Sequence, residues 1–463
     1  MTTPSRELRT GTLVRYAVGS IGTGGFATLP GLVLLVYLTD TLGVLPFVAG
    51  LFVTLAKVWD VIIDPVIGAR SDRNLARTGS RRRFMLLGGL LLPIFFVLTF
   101  AAPAVFGSIG AGAWVLVAFL LAATAFSLFQ VPYIALPAEL VSNYDDRTRL
   151  LSARVMVLTF AILLFGAGGP MLRKLGSTEN EGYLIMGIVA GVVLGAGMIV
   201  ASFAARRGPT FEAPRTSILE NYRVGIGALR RSQPFRALVG TFLLQALATG
   251  MMLTGAAYVA NWVLGDPDAV TYLFVALIAP ALICTPVWAI ISRHTGKELA
   301  FGFASLLFGV AALSMVLLVW LPGPWLYVPV ALAGAAYAGM QSLPMAMLPD
   351  VISHDARRHG PGHAGTFGGV WTAGETTGMA LGAAIFGLVL SLTGYLESTG
   401  SEVVTQSPTA VAGIVLSFSI VPAALIGLSL MTLVRYPLRR GDIEDDAGAL
   451  EADDAANPAG SPA

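Results

Sequence analysis

Twelve long apolar runs, separated by short polar connections, set the pattern of this chain. They lie at roughly 12–39, 45–69, 84–106, 111–140, 150–173, 182–205, 236–263, 269–292, 299–321, 325–349, 364–395 and 408–435. Most are long enough to cross a bilayer core as an α-helix, which takes about 20 residues. None shows the two-residue alternation of an outer-membrane barrel strand. The pattern predicts an all-α membrane protein with twelve transmembrane helices.

The polar connections alternate in charge. The one after the second run holds Arg70, Arg73, Arg77, Arg81, Arg82 and Arg83, and the central one holds Arg206, Arg207, Arg215, Arg223, Arg230 and Arg231. Connections of the other parity carry Arg173 and Lys174 beside Asp40, Glu179, Glu181, Asp266, Asp268, Glu397 and Glu402. By the positive-inside rule, both termini and the central loop are expected on the cytoplasmic side of the inner membrane.

The central stretch 206–235 is polar, with Pro209, Pro214 and Pro234. It predicts a six-helix bundle over 1–205, a loop over 206–235 and a second six-helix bundle over 236–440. An acidic tail, 441–463, is expected to be disordered. The halves share features. Gln130 and Glu139 recur as Gln341 and Asp350, both at an offset of 211, and D-P-V-I-G-A-R-S-D-R has the counterpart T-P-V-W-A-I-I-S-R-H. There Thr285 replaces Asp64. Two related six-helix halves suit a transporter with a site at the bilayer midplane.

Composition narrows the class. The 463 residues are 55% hydrophobic and 12% charged, with mean hydropathy +0.76; a soluble protein carries about 25% charged residues. Seven acids and no Lys or Arg follow Gly441. With them set aside, 29 basic residues face 20 acids, a surplus of nine placed in alternate connections. That placement argues for membrane topology and against nucleic acid as a partner. The single cysteine, Cys284, excludes an internal disulfide and a cysteine metal cluster. His294, His354, His359 and His363 all fall in loop-like stretches, which leaves carboxylates for any proton handling inside the membrane. The first run is too long for a signal-peptide core and lacks a small-residue cleavage site, so it reads as a membrane helix. No phosphate-binding G-x-x-x-x-G-K-[ST], H-E-x-x-H or nucleophile elbow occurs. The chain is expected to be no enzyme, to need no cofactor beyond a coupling ion, and to be monomeric.

The candidate chemistry centres on Lys57, Asp60 and Asp64 in the second run. At about 100° per residue these fall within roughly 60° on one helix face. An ionised side chain at mid-bilayer costs about 2.5–3.5 kcal/mol on insertion scales. Two carboxylates at i and i+4 repel, and one lysine neutralises only one of them. The trio is either a structural ion pair near a wetted helix end or a cation site with one charge to fill. Hard oxygen ligands with one net negative charge suit Na⁺ or H⁺. Glu375 stands alone in G-G-V-W-T-A-G-E-T-T-G-M-A-L-G and is a candidate for solute or cation contact. Gln130 and Gln341 are placed to bind solute hydroxyls or to join helices. Tyr133 and Trp371 offer rings for a flat ligand, or core packing. Arg70, Asp72 and Arg73 are expected in a loop, setting topology or gating. Glu139 and Asp350 are expected to be solvated or to pair with Arg147, Arg149 or Arg154 in one conformation.

These residues resemble the glycoside–pentoside–hexuronide:cation symporter family of the major facilitator superfamily. The similarity is collinear over nearly all of 12–435. Its strongest blocks are K-V-W-D-V-I-I-D-P-V-I-G-A-R-S-D-R, V-P-Y-I-A-L-P-A-E-L-V-S-N-Y-D-D-R-T-R-L-L-S-A-R, and M-L-P-D-V-I-S-H-D followed by G-T-F-G-G-V-W-T. The resemblance implies the major facilitator fold, two pseudo-symmetric six-helix bundles working by alternating access. It implies that Asp60 and Asp64 hold the coupling cation, Na⁺ or H⁺, that Lys57 replaces a basic residue there, and that Ser127 supplies a Na⁺-coordinating hydroxyl. It implies symport of a small organic solute, a glycoside or related sugar. The chain departs from the pattern where sugar-binding members carry acids, with Gly24 in the first helix and Gln130 in the fourth. Ile134 replaces a Trp, Thr376 an eleventh-helix Lys, and the usual R-x-E-G reads His363-Ala364-Gly365. Some animal members carry lysophospholipids with the same acidic pair, so an amphipathic solute is the alternative.

Overall fold

The computed structural model describes residues 9–140, 144–205, 227, 229–359, 364–399 and 404–438. Its twelve long helices are α1 (Thr10–Thr41), α2 (Pro46–Thr78), α3 (Arg82–Thr99), α4 (Gly107–Leu140), α5 (Tyr144–Arg173), α6 (Glu179–Ser202), α7 (Gln233–Val263), α8 (Ala269–Thr295), α9 (Lys297–Val319), α10 (Tyr327–His359), α11 (Ala364–Leu392) and α12 (Pro408–Leu433). Eleven are long and apolar enough to cross a membrane. The remaining one, α10, spans 33 residues, and its apolar run is diluted by Gln341, Ser342, Pro344 and Pro349. Large apolar side chains such as Ile94, Met156, Ile283 and Val310 are exposed on the outside of the bundle. Outward apolar residues over satisfied helical backbone are what a bilayer demands.

Helix packing repeats when six is added to each helix number. The pairs α3–α4, α3–α6, α1–α5, α1–α6 and α2–α4 have the counterparts α9–α10, α9–α12, α7–α11, α7–α12 and α8–α10. Two pseudo-symmetric six-helix bundles result, joined along α2–α11, α5–α8 and α1–α7. Glycines allow the closest approaches. A Cβ on Gly382 of α11 would sit 2.5 Å from the Leu247 carbonyl of α7, and one on Gly195 of α6 would sit 2.3 Å from Pro93 Cγ of α3.

The second helix is longer than its apolar run. It continues through Arg70, Asp72, Arg73 and Arg77 to Thr78, so these residues are helical and not in a loop. It stops at Gly79, whose φ of 68° no β-carbon favours and whose N–H returns to the Leu75 carbonyl. Charge ended the apolar run, but nothing before Gly79 ends the helix. Conversely, the third helix stops at Thr99, short of the expected 106, and α5 begins at Tyr144, ahead of the expected 150. Most of the central loop and the whole acidic tail lie outside the described residues.

Candidate functional site

Lys57, Asp60 and Asp64 lie at i, i+3 and i+7 on α2, inside the membrane span. The Lys57 ammonium stands 3.5 Å from Asp60 Oδ2 and 5.6 Å from the centre of the Phe26 ring on α1. Asp64 lies within electrostatic reach of both Asp60 and Lys57, and the hydroxyl of Ser127, buried on α4, faces it. Asp60 Oδ1 and Asp64 Oδ1 are buried and accept no hydrogen bond. A buried acceptor without a partner costs about 1–3 kcal/mol, more when charged. Two such oxygens one helical turn apart, with the Ser127 hydroxyl at Asp64, set two acids against one lysine and leave one negative charge over. Among the described residues no group of three or more His, Cys, Asp or Glu side chains is placed to hold a metal. That donor set fits a proton or a monovalent ion bound by few protein oxygens. Nearby, Trp59 Nε1 donates to Thr124 Oγ1 (2.9 Å), tying α2 to α4.

The other polar residues fall into two groups. In the first half, Gln130 Oε1 accepts from Thr23 Oγ1 of α1 (2.7 Å). Tyr133 is fully buried, stacked on Tyr16 and Phe129, with its hydroxyl donating to the Tyr16 carbonyl (2.8 Å). That ring has no face free for a ligand, which corrects its expected stacking role. Arg154 lies over the Tyr133 ring, 5.5 Å from its centre, and does not reach Glu139. In the second half, Gln341 Nε2 donates to the Tyr337 hydroxyl (2.8 Å), and that phenol lies within electrostatic reach of Glu375 on α11. Trp371 is buried and stacked on Phe242 at 4.1 Å, with its Nε1 lacking a partner.

The expected gating acids find partners, but not the expected ones. Arg81, at the start of α3, binds Asp72 (2.7 Å), Glu139 and Ser71 Oγ (3.0 Å). Burial works against its charge, yet the hydrogen bond and charge of Glu139, then those of Asp72, hold the guanidinium pKa above its usual value. Asp350 binds Lys297, at the start of α9 (2.6 Å). Glu139–Arg81 and Asp350–Lys297 are pseudo-equivalent, each tying the second half of a long helix to the start of a neighbour in its own half. Helix starts lie closer to these acids than the α4–α5 arginines do. The side chain of Arg147 lies outside the described residues. Arg231, just ahead of α7 in the central connection, adds another pair with Asp355 of α10 (2.8 Å).

Sequence reasoning missed a residue that, among the described residues, makes three hydrogen bonds between the halves. Asp40, expected in a loop, closes α1 in a π-helical turn, Tyr37–Thr41. Its Oδ1 accepts from the Tyr395 hydroxyl (2.7 Å) and from Thr39 Oγ1 (2.7 Å), and its Oδ2 from Trp262 Nε1 (3.3 Å). The Asp40 carbonyl accepts from Ser398 Oγ (2.6 Å), and Thr39 Oγ1 bonds the Tyr258 hydroxyl (2.7 Å). Trp262 sits in the matching π turn of α7, Val259–Val263, at the position pseudo-equivalent to Asp40. Such turns recur at functional sites. Phe47 N–H to Ser391, Thr54 to the Ala380 carbonyl, Thr271 to the Ala167 carbonyl and Lys174 to Asp268 also join the halves. All these contacts lie in the part of the bundle away from the basic connections. None of the ion pairs described at the basic end joins the two halves. The sequence signal was a Thr-Asp pair directly at the end of an apolar run, with Trp262 and Tyr395 at the corresponding ends of two others.

The chain matches the MFS/sugar transport protein family over residues 15–440. It is 25% identical to the Glucuronide carrier protein homolog of Escherichia coli (strain K12), covering 94% of each chain. It is 23% identical to the Sodium-dependent lysophosphatidylcholine symporter 1 of Gallus gallus, over 94% of this chain and 88% of that one. Among solved structures, a variant of the nucleoside transporter NupG superposes with a TM-score of 0.64 at 12% identity, covering 92% of this chain and all of that one. The chain belongs to the MFS/sugar transport protein family and is a secondary transporter of the major facilitator superfamily.

Proposed function

We propose that this chain couples the entry of a small organic solute, a glycoside or related sugar, to a cation bound at Asp60, Asp64 and Ser127. The observation that carries the reading is the pair of buried, unpartnered Oδ1 atoms one helical turn apart, with the Ser127 hydroxyl at Asp64 and, among the described residues, Lys57 as the one cation paired with the two acids. Lys57 tunes the pair. A cation completes it and favours the state that exposes a solute pocket, through a coupling of about 1–3 kcal/mol. Gln130, Gln341, Trp371 and Glu375 line the solute path. The basic connections, both termini and the central loop 206–235 face the cytoplasm, in the inner membrane, and the chain works as a monomer of two bundles, 1–205 and 236–440. The contacts gathered at the acidic end then belong to the inward-open state, with Arg70, Asp72, Arg73, Glu139, Arg147 and Asp350 at the open end.

Names of relatives support both a sugar-like and a lipid-like solute. A specific observation favours keeping the amphipathic alternative. Gly24 packs against α5, where an added Cβ would lie 2.9 Å from the Leu158 carbonyl, and Gln130 is engaged by Thr23, so neither position offers a sugar a carboxylate. The test is uptake into proteoliposomes of a panel of glycosides, hexuronides and lysolipids, with Na⁺ and pH gradients imposed separately. Accumulation of a glycoside under one gradient supports the first reading, and accumulation of lysolipids alone supports the alternative. No gradient-driven flux of any member refutes both.

A further inference from the structure

Among the described residues, Glu375 on the opposite half is another acid inside a membrane span with no ion-pair partner; Asp40, at the end of α1, is held instead by three side-chain hydrogen bonds. The α2–α11 contacts fix the depth of Glu375. Gly50 meets Ala383 and Ala384, Gly387 meets Pro46, and Thr54 Oγ1 donates to the Ala380 carbonyl (2.9 Å). At 1.5 Å per residue, Asp60 lies about 9 Å below Thr54 and Glu375 about 7.5 Å below Ala380. The two carboxylates therefore stand at one level, one in each bundle.

No described cation pairs with Glu375. On α2, Lys57 is engaged by Asp60 at 3.5 Å. Between Ala237 and Tyr258 α7 has no charged residue, and neither does α12 from Pro408 to Leu433. On α10 the group within reach is the Tyr337 phenol. Gln341 Nε2 donates to that phenolic oxygen, so the phenolic proton is not used in this bond. One neutral donor does not balance a full charge at mid-bilayer. Glu375 is half-buried and so is not sealed from an exchanging ligand.

We propose that Glu375 is a second ion site, one that binds a proton, with Tyr337, held by Gln341, as a positioning residue. The phenol dipole lies within electrostatic reach of the carboxyl. The site is filled and emptied as the bundle alternates. The inference goes beyond the coupling role of Asp60 and Asp64 and does not depend on which solute is carried. The balance is simple: the carboxylate takes up one proton and gives it up again, and no other bond forms or breaks.

The test is difference infrared spectroscopy on the full-length protein in lipid nanodiscs, stepped from mildly acidic to alkaline pH without solute. The wild type shows a carboxylic-acid C=O band that shifts in D₂O and is lost as pH rises. Glu375→Gln removes one component of that band, while the Asp60→Asn/Asp64→Asn double variant keeps it. Glu375→Asp, a conservative variant for use should the first not fold, moves the pH midpoint of the component. Tyr337→Phe also moves that midpoint and does not delete the component, as a positioning role requires. A full band retained in Glu375→Gln, a midpoint unmoved in Glu375→Asp, or loss of the component in the double variant overturns the proposal. Transport is not read in this measurement, so its failure is distinct from failure of the proposed symport.

Discussion

Replacing Asp40 by Asn tests how the acidic end is held shut. The carboxylate accepts two side-chain hydrogen bonds from the other half, from Tyr395 and from Trp262. A hydrogen bond to a charged group is worth about 1.5–3 kcal/mol and one between neutral groups about 0.5–1.5. An amide keeps one acceptor and turns the other into a donor facing a donor. The closed state should then lose about 2–3 kcal/mol, a shift of roughly 30- to 150-fold toward opening. Tyr395→Phe removes a single bond and should shift the balance about tenfold, at ~1.5 kcal/mol. Spin labels at Val105 and Leu321, exposed on acidic-end connections of opposite halves, report the distance in a Cys284→Ser background. A longer-distance population should grow in Tyr395→Phe and grow further in Asp40→Asn. Distance distributions unchanged in both variants would refute the latch.

Other outcomes follow from the same geometry. Ser127→Ala should weaken Na⁺ activation of uptake by roughly tenfold or more if Na⁺ is the ligand, the worth of one polar contact to a charged site, and leave a proton-driven mode intact; Na⁺ titration of uptake separates the two. Arg81→Gln should lower stability by about 1–3 kcal/mol, because Asp72 and Glu139 lose a shared partner but remain partly exposed; a thermal melt in detergent measures it. Gly382→Val pushes side-chain carbon into the α7 backbone and should cost about 1–3 kcal/mol or prevent folding, read as lost monodisperse protein.

Much of the architecture was legible because the bilayer makes hydropathy dominate each helix. The halves were legible because Gln130 and Gln341, and Glu139 and Asp350, keep one spacing. Helix ends were not: α2 carries Arg70 to Arg77 as helical turns beyond its apolar run, since charged residues outside the hydrocarbon form helix readily until Gly79. The trio on α2 could be placed on one face from spacing alone, but pair choice depends on tertiary distance. Glu139 and Asp350 took helix starts, Arg81 and Lys297, and not the expected arginines, which for Glu139 are the nearer in sequence. Tyr133 looked like a ligand platform until packing filled both of its faces. Asp40 was invisible as a contact hub because its partners come from two other helix ends, more than 200 residues away.

Gradient-driven accumulation in Asp60→Asn and Asp64→Asn proteoliposomes bears most directly on the cation seat. Each variant should lose accumulation under both Na⁺ and pH gradients while retaining solute exchange at equal concentrations. Accumulation at the wild-type level in both variants would mean that the cation binds elsewhere.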